Sequence, residues 1–89
     1  MNSAAPWELR VDRAVYKQLH RIPNRDAARI LAAIAEFVTN PYAGDVSKMQ
    51  GEEDVWRRRV GSYRIFYEVF PTKKIVYVYR MERRTSTTY

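Results

Sequence analysis

The sequence predicts an α+β fold, in which two N-terminal helices pack on one face of a small antiparallel sheet in the order β-α-α-β-β-β. Two observations predict it. The first half of the chain carries apolar residues at helical spacing, and the second half contains runs that alternate apolar and polar residues with the period of a strand. The chain of 89 residues is long enough for one domain with one modest core, which we assign to residues 1–89.

The N-terminal segment predicts one strand and one short helix. Residues 7–11 alternate apolar and charged side chains, as a half-buried strand does. Asp12 follows, and its carboxylate can accept hydrogen bonds from the free backbone amides at the start of a helix. Apolar residues then recur at positions i, i+4 and i+7 until Pro23, which ends the helix.

A longer second helix is predicted between Asn24 and Asn40-Pro41. Asn24 is a suitable N-cap, and the Asn-Pro pair is a suitable end because proline cannot continue a helix. Between them, apolar residues form a broad stripe at helical spacing, which predicts a face packed against the sheet. The stripe consists of Ala27, Ile30, Leu31, Ile34, Phe37 and Val38.

The second half of the chain predicts a loop followed by three strands. Residues 40–54 contain a proline, two glycines and an acidic run, so we expect a loop there, with one short extended piece near Lys48. Gly61-Ser62 predicts a two-residue type II′ hairpin turn, in which the glycine supplies the positive φ. The strands are predicted at residues 55–60, 63–70 and 75–81.

Composition excludes several kinds of chemistry. The chain has no cysteine and a single histidine, His20, so we expect no disulfide, no thiolate nucleophile, no metal site and no cofactor. No apolar run approaches the roughly 18–20 residues that span a bilayer, and residues 1–6 lack the basic and apolar regions of a signal peptide. We therefore expect a cytoplasmic protein without membrane contact, whose function depends on Arg, Lys, Tyr, Asp and Glu.

Positive charge is concentrated in the C-terminal half of the chain. The net charge is +6. Residues 1–46 contribute six basic and five acidic side chains, whereas residues 47–89 contribute ten basic and five acidic ones. A concentrated basic field attracts polyanions, which makes nucleic acid or an acidic protein the expected partner. Composition alone leaves open the alternative of a solvated surface that only aids solubility.

Three arginines are predicted to share one face of the sheet. Side chains alternate across a strand, so Arg57 and Arg59 point to the same face. In the next strand a continuous apolar row belongs against the helices, which leaves Arg64 on the uncovered face. Like charges on neighbouring strands need a counter-charge, and the planar guanidinium suits phosphate. The alternative is neutralisation within the chain by Glu68 and the acidic run at residues 52–54.

One further arginine is predicted on the core-facing side of its strand. Arg58 lies between Trp56 and Val60, where an aliphatic residue is expected. We expect its aliphatic stem to pack on the apolar row while its guanidinium reaches the edge of the sheet. Arginine also stays protonated in proteins, so none of the neighbouring arginines can act as a base.

The same residues resemble a known family. Residues 56–67, which read Trp-Arg-Arg-Arg-Val-Gly-Ser-Tyr-Arg-Ile-Phe-Tyr, are similar to the RelE/ParE toxin superfamily, as are residues 81–84, Met-Glu-Arg-Arg, followed by Tyr89. The resemblance covers nearly the whole chain and implies the RelE-like form of the predicted fold. Its other matching segments are Pro23, Asn40-Pro41-Tyr42 and Lys48-Met49-Gln50-Gly51.

The resemblance implies a toxin of a type II toxin–antitoxin module that enters the ribosomal A site and cleaves the bound message. In that reaction the RNA 2′-hydroxyl attacks the adjacent phosphate and leaves a 2′,3′-cyclic phosphate and a free 5′-hydroxyl. The family's catalytic positions correspond to Arg57, Arg59, Arg64, Arg83 and Tyr89. The arginines would hold the phosphate and stabilise its developing charge, and Tyr89 would move the 2′-hydroxyl proton or stack a base.

Further RNA contacts and two partners follow from the same resemblance. Lys48, Arg84 and Phe66 are the expected RNA-binding residues, and Arg84 can also substitute for Arg83. The implied partners are the ribosome with message in its A site and an acidic, RelB-like antitoxin that neutralises the toxin in a hetero-oligomeric complex. We expect the antitoxin to dock as an amphipathic helix or as an added strand.

Two other functions stay open at the level of sequence. The ParE branch of the same fold inhibits DNA gyrase by protein contact and performs no nuclease chemistry, although such a toxin has no need of a phosphate-binding arginine cluster. A non-catalytic RNA-binding module would need exposed aromatic side chains beside its basic residues. Phe66 is the one clear candidate for such a side chain on the uncovered face.

Overall fold

A computed structural model describes residues 6–84 of the protein, and in that range the predicted order of elements is confirmed. One short strand is added at the position where the loop was expected to contain an extended piece. The elements are β1 (Glu8–Val11), α1 (Arg13–Leu19), α2 (Asn24–Glu36), β2 (Val46–Lys48), β3 (Val55–Val60), β4 (Tyr63–Phe70) and β5 (Ile75–Arg83).

The strands form one sheet in the order β1-β5-β4-β3-β2. The last four strands pair antiparallel with their neighbours, in keeping with the predicted antiparallel sheet, but β1 lies beside β5 and runs parallel to it. The sheet is therefore mixed. Alternation along a strand predicts which side chains face the helices, but it carries no information about which strand lies alongside, so this parallel pairing could not be predicted.

The predicted cap of α1 is confirmed. Asp12 Oδ1 accepts a hydrogen bond from the Ala14 amide at 2.8 Å, and Asp12 Oδ2 accepts one from the Tyr77 hydroxyl at 2.7 Å. Both bonds favour the charged carboxylate, so they lower the pKa of Asp12, and the Ala14 amide has the larger effect. The side chain of Asp12 thus joins the start of α1 to the last strand of the sheet.

The prediction that Asn24 caps α2 is wrong. Pro23 is the N-cap residue and Asn24 already lies in the helix, which begins without a side-chain cap hydrogen bond. Pro23 has φ −57° and ψ 142°, the extended backbone that an N-cap position requires. The restricted φ of proline therefore sets the start of α2 one residue earlier than the cap pattern predicts.

The core lies between the two helices and one face of the sheet. Phe37, at the end of α2, is fully buried, and its ring stacks on Tyr67 of β4 with 4.2 Å between the ring centroids. The Tyr67 hydroxyl donates to the Pro41 carbonyl at 2.6 Å, so the buried phenol keeps a partner. Leu31 was predicted in the apolar stripe but is 45% exposed, because the stripe is broader than the face that the sheet covers.

The β3–β4 hairpin has the predicted turn. Val60 pairs with Tyr63, which leaves Gly61 and Ser62 as a two-residue loop. Gly61 has φ +58°, while Ser62 has no positive φ, as a type II′ turn requires. The turn fixes the register of the two strands, so Arg59 lies directly opposite Arg64.

Arg58 lies on the helix side of β3, as predicted, but its guanidinium forms contacts within the protein instead of extending into solvent. Its Nη1 lies 3.0 Å from Glu36 Oε1 and 3.3 Å from the Ala43 carbonyl oxygen, and 13% of the side chain is exposed. The guanidinium lies beneath the backbone of Gly44. Arg58 therefore fastens the end of α2 and the following loop to the sheet.

Gly44 is expected to be the most sensitive glycine of this loop. It has φ +89°, and a Cβ added there would lie 2.6 Å from Arg58 Cζ. We expect Gly44→Ala to lower the free energy of unfolding by more than the roughly 1–2 kcal/mol that a positive φ alone costs an alanine. Gly51→Ala is the matched control, because Gly51 has φ +81° with nothing within 4 Å of an added Cβ. Equal losses for the two variants in urea unfolding would contradict the proposed steric conflict with Arg58.

Candidate nucleic-acid interface

The helices cover one face of the sheet, and we call the other the open face. Strand register assigns side chains to it, and the assignment confirms that the three predicted arginines share this face. In β3, β4 and β5 the open face consists of Val55, Arg57, Arg59, Arg64, Phe66, Glu68, Phe70, Ile75, Tyr77, Arg80 and Glu82.

The arginines lie in two rows that cross the strands. One row runs from Arg59 through Arg64 to Glu82, and the other runs from Arg57 through Phe66 to Arg80. Neighbouring strands are about 4.8 Å apart, so side chains in one row are in direct reach of one another. Four guanidinium groups therefore converge on an area that spans three strands.

Little of this positive charge is neutralised within the described chain. Arg57 Nη2 donates to the neutral Ser47 hydroxyl at 3.1 Å, and the Arg59 side chain has no hydrogen bond or ion pair within residues 6–84. Arg64 Nη1 lies 3.4 Å from Glu82 Oε1, but its buried Nε has no partner. Glu82 also pairs with Arg80.

The neutralisation expected as the alternative is not the one observed. Within residues 6–84, neither Glu68 nor the acidic run at residues 52–54 forms an ion pair with an arginine of the open face. The carboxylate that does so is Glu82, which the sequence analysis did not single out. Four guanidinium groups against two carboxylates, Glu68 and Glu82, leave the open face electropositive.

Arg83 does not join this cluster, because β5 contains a β-bulge. Tyr79 has no residue opposite it in β4, and this extra residue reverses the alternation of the strand. Strict alternation would put Arg83 on the open face. Instead Arg83 pairs with Tyr63 on the helix side, and its Cζ lies 5.7 Å from the centre of the Tyr63 ring. The bulge moves Arg80 and Glu82 onto the open face in its place.

Two other predicted site residues, Arg84 and Lys48, lie on opposite faces of the sheet. The Arg84 amide donates to the Ser62 carbonyl at 2.6 Å, which continues the register past Glu82 and assigns the Arg84 side chain to the open face. Lys48 is exposed but lies opposite Trp56, so it belongs to the helix side of the edge strand β2. Tyr89 lies outside the described residues.

The most exposed aromatic side chain of the open face is not the predicted Phe66 but Phe70, which is 38% exposed at the end of β4. Phe66 lies on this face but is only 6% exposed, because the Arg80 guanidinium covers its ring at 4.9 Å. Tyr79, in the bulge, is half-buried beside the Tyr77 ring, with 6.1 Å between the centroids. Burial is the main cause that raises the pKa of Tyr79, so the phenol stays protonated and can donate a hydrogen bond.

A metal site and a membrane-spanning helix are both absent from the part of the chain that the structure describes. Among residues 6–84, no three His, Cys, Asp or Glu side chains lie close enough together to hold a metal ion. Neither α1 nor α2 is long and apolar enough to cross a membrane.

Comparison with known proteins identifies the family. The family model described as "ParE toxin of type II toxin-antitoxin system, parDE" matches residues 9–86. The chain belongs to this family of type II toxins. The match confirms the predicted membership of the RelE/ParE superfamily. Among curated proteins, the toxin resembles RelE1 of Methanocaldococcus jannaschii, with 25% identity over 81 residues that cover 88% of this chain and 90% of the relative.

Solved structures confirm the RelE-like fold of the toxin. The archaeal RelE–RelB complex from Pyrococcus horikoshii OT3 contains a chain that superposes with a TM-score of 0.80 at 24% identity, covering 92% of this toxin and 99% of that chain. The isolated E. coli RelE toxin superposes with a TM-score of 0.77 at 18% identity, covering 91% and 87%. These neighbours agree with the sheet and helices described above.

Proposed function

We propose that the toxin is an endoribonuclease that cleaves messenger RNA in the ribosomal A site, and that the open face binds the scissile phosphate. The observation that carries the proposal is the convergence of Arg57, Arg59 and Arg64 on a face that the helices leave uncovered. Guanidinium groups bind phosphate through paired N–H donors, and they are most effective where charge develops in a transition state.

The energetics of the arginine row support a bound anion. Arg59 and Arg64 are directly opposite each other on neighbouring strands, an arrangement of like charges that destabilises a sheet. The buried Nε of Arg64 has no acceptor in the described chain, and a buried donor without a partner costs on the order of 1–3 kcal/mol. A phosphodiester bound between Arg59 and Arg64 would offset the repulsion between their two charges.

The proposed reaction is an internal transfer at phosphorus. The RNA 2′-oxygen forms a bond to the adjacent phosphorus, the bond from phosphorus to the 5′-oxygen breaks, and a 2′,3′-cyclic phosphate and a 5′-hydroxyl result. The 2′-hydroxyl loses a proton and the leaving 5′-oxygen gains one. Arg57, Arg59 and Arg64 hold the phosphate and stabilise its added charge, while proton transfer is assigned to Tyr89, as the family resemblance implies.

The fourth phosphate-binding arginine is assigned to Arg84 rather than to Arg83. The resemblance matches the family's arginine after the last strand to Arg83, with Arg84 as a substitute, but the bulge turns Arg83 toward the helices, and the register continues Arg84 along the open face. Arg80 is already engaged with Glu82 and covers Phe66. Arg84 therefore complements the row of Arg59 and Arg64 at the hairpin end of the face.

Glu82 is expected to compete with RNA for the arginines of the open face. It pairs with both Arg64 and Arg80, so a phosphate that binds Arg64 must displace or accommodate this carboxylate. We expect Glu82→Gln to increase the affinity for a 2′-O-methyl RNA, which cannot be cleaved by 2′-hydroxyl attack, by several-fold at low salt. Glu36→Gln is the control, since Glu36 pairs with Arg58 on the other side of the sheet. A lower affinity of the Glu82 variant would contradict this role.

We further propose that an acidic antitoxin and the ribosome are the partners of the toxin in the cytoplasm. RelE has been solved in complex with RelB from P. horikoshii, M. jannaschii and E. coli. The net charge of +6 on this toxin favours an acidic partner, which would neutralise the arginines of the open face in a hetero-oligomeric complex.

A second candidate function is inhibition of DNA gyrase by protein contact. The observation that favours it is the matching family model, whose description is that of ParE. Such a toxin would bind its target without chemistry at phosphorus. Gyrase inhibition would leave the arginine row and the unpartnered Nε of Arg64 without a role, and we therefore prefer the proposal of a nuclease.

One experiment separates the two candidates. The toxin is incubated with ribosomes that carry a message in the A site and, separately, with gyrase and supercoiled DNA, and all cuts are mapped. We expect cleavage of the message, with 2′,3′-cyclic phosphate ends and 5′-hydroxyl ends, and unaltered gyrase. Intact message together with trapped gyrase cleavage complexes would refute the nuclease proposal.

A further inference from the structure

A second group of basic side chains lies around the β3–β4 hairpin, on the helix side of the sheet. It encloses a cavity of about 110 Å³, which we call the hairpin cavity. The residues that define it are Asp26, Arg29, Gly61, Ser62, Tyr63 and Arg83. None of them belongs to the open face, and Arg83 is the residue that the bulge in β5 turns away from that face.

Both arginines of the hairpin cavity are exposed, and neither has an anionic partner within residues 6–84. Arg29 lies beside the turn, since a Cβ added at Gly61 would be 3.5 Å from its Nη2. Arg83 lies against the ring of Tyr63. Within residues 6–84, neither guanidinium forms an ion pair or a side-chain hydrogen bond.

The one carboxylate of the cavity is already engaged. Asp26 Oδ2 accepts a hydrogen bond from the Tyr63 hydroxyl at 2.9 Å. Burial and the neighbouring Asp26 raise the pKa of Tyr63, so this phenol remains a donor to the carboxylate at neutral pH. Asp26 thus bonds to Tyr63 rather than to Arg29 or Arg83, and neither arginine has an acceptor for its donors within residues 6–84.

We propose that the hairpin cavity binds a phosphate group of an RNA backbone, one that lies beyond the phosphate held by the open face. Arg29 and Arg83, which both line the cavity, would supply paired N–H donors, and Ser62, which also lines it, carries a hydroxyl that can donate. The choice of RNA as the ligand rests on the proposed function.

The position of the cavity favours a nucleic-acid backbone over an acidic peptide. Only the two-residue turn Gly61-Ser62 separates the cavity from the row of Arg59 and Arg64. An RNA strand that leaves the open face at the hairpin end would therefore pass over the cavity. Gly61 has no side chain that would obstruct this path. A cavity of about 110 Å³ suits a compact oxyanion, whereas an acidic peptide binds along an extended groove or strand edge.

The first experiment uses inorganic phosphate as the probe. Amide chemical shifts of the toxin are followed during a phosphate titration at constant ionic strength, for the unmodified protein, Arg29→Ala, Arg83→Ala and the control Arg21→Ala. Arg21 is an exposed arginine outside the cavity. We expect saturable shifts at Gly61 and Ser62 that Arg29→Ala and Arg83→Ala each weaken by at least threefold and that Arg21→Ala preserves. The absence of shifts at these amides, or equal shifts in all four proteins, overturns the proposal.

The second experiment identifies the ligand. A fluorescent 2′-O-methyl hexaribonucleotide, ribosomes without message and a hexaglutamate peptide are bound to the same four proteins at several salt concentrations. For the oligonucleotide, the logarithm of the association constant falls linearly with the logarithm of the salt concentration. We expect Arg29→Ala and Arg83→Ala each to make this slope shallower by about 0.7, the value of one phosphate contact to a single strand. The same sensitivity with empty ribosomes but not with the oligonucleotide assigns the phosphate to ribosomal RNA. Tighter, arginine-dependent binding of hexaglutamate than of either RNA overturns the choice of ligand.

These measurements do not depend on cleavage, so their outcome is separable from that of the proposed function. If the toxin fails to cut the message on programmed ribosomes while phosphate still shifts Gly61 and Ser62 in an arginine-dependent way, the nuclease proposal fails and the anion site stands. If the toxin cuts the message but the two variants behave like Arg21→Ala, the hairpin cavity is not a phosphate site.

Discussion

Arg64→Ala is expected to reduce message cleavage on programmed ribosomes by about 100- to 1000-fold, the usual effect of removing one transition-state donor. Arg64 lies at the centre of the arginine row, between Arg59 and Glu82, and its Nε is a buried donor without a partner in the described residues. The loss should appear mainly in the rate of cleavage at saturating toxin rather than in ribosome binding, because the contact strengthens as charge develops on the phosphate.

Two variants test this interpretation of Arg64. Arg64→Lys keeps the charge but loses the planar pair of donors, so we expect it to recover only part of the rate. Arg21→Ala removes an exposed arginine elsewhere and should cleave like the unmodified toxin. The midpoint of thermal unfolding is measured for each protein. A rate of Arg64→Ala within threefold of the unmodified toxin, or a loss of activity that tracks loss of folded protein, would contradict the assignment.

Phe37→Ala is expected to produce the largest loss of stability, about 3–5 kcal/mol of the free energy of unfolding. Phe37 is fully buried and stacks on Tyr67, which in turn donates to the Pro41 carbonyl, so the cavity left behind would lie at the junction of α2, β4 and the following loop. A domain of this size has only on the order of 5–10 kcal/mol in total, so much of the variant should be unfolded at moderate urea concentrations.

Leu31→Ala is the matched control for Phe37→Ala. Leu31 belongs to the same helix and to the same predicted apolar stripe, but it is 45% exposed. We expect its replacement to change the free energy of unfolding by no more than about 0.5 kcal/mol. Similar losses for the two variants would mean that the sheet covers a wider part of α2 than the burial pattern indicates.

Local patterns were sufficient to predict the order of the elements and the arginines that β3 and β4 contribute to the open face. The hairpin at Gly61-Ser62 could be predicted because a two-residue loop with a leading glycine fixes both the turn and the register of its strands. With that register, alternation alone assigned Arg57, Arg59 and Arg64 to one face. These inferences depend on contacts between neighbours in sequence, which is why a single sequence carries them.

Which residues of β5 belong to the open face depends on the tertiary structure. A single extra residue at Tyr79 reverses the alternation of β5, removes Arg83 from the open face and brings in Arg80 and Glu82. Nothing in the local pattern of this strand distinguishes a bulged from a regular pairing with β4, because a bulge is a property of two strands together.

The sequence by itself therefore determined that this protein has an α+β fold with an arginine-rich face, since composition, periodicity and turn chemistry are local properties, and the toxin family followed from its resemblance to known sequences. The tertiary structure decided which cations share that face, that Arg80 covers Phe66, and that Arg83 lies with Arg29 around a separate cavity. Each of these depends on pairing or packing between segments that are distant in sequence, such as Arg29 and Arg83. Such contacts form only when the sheet closes against the helices.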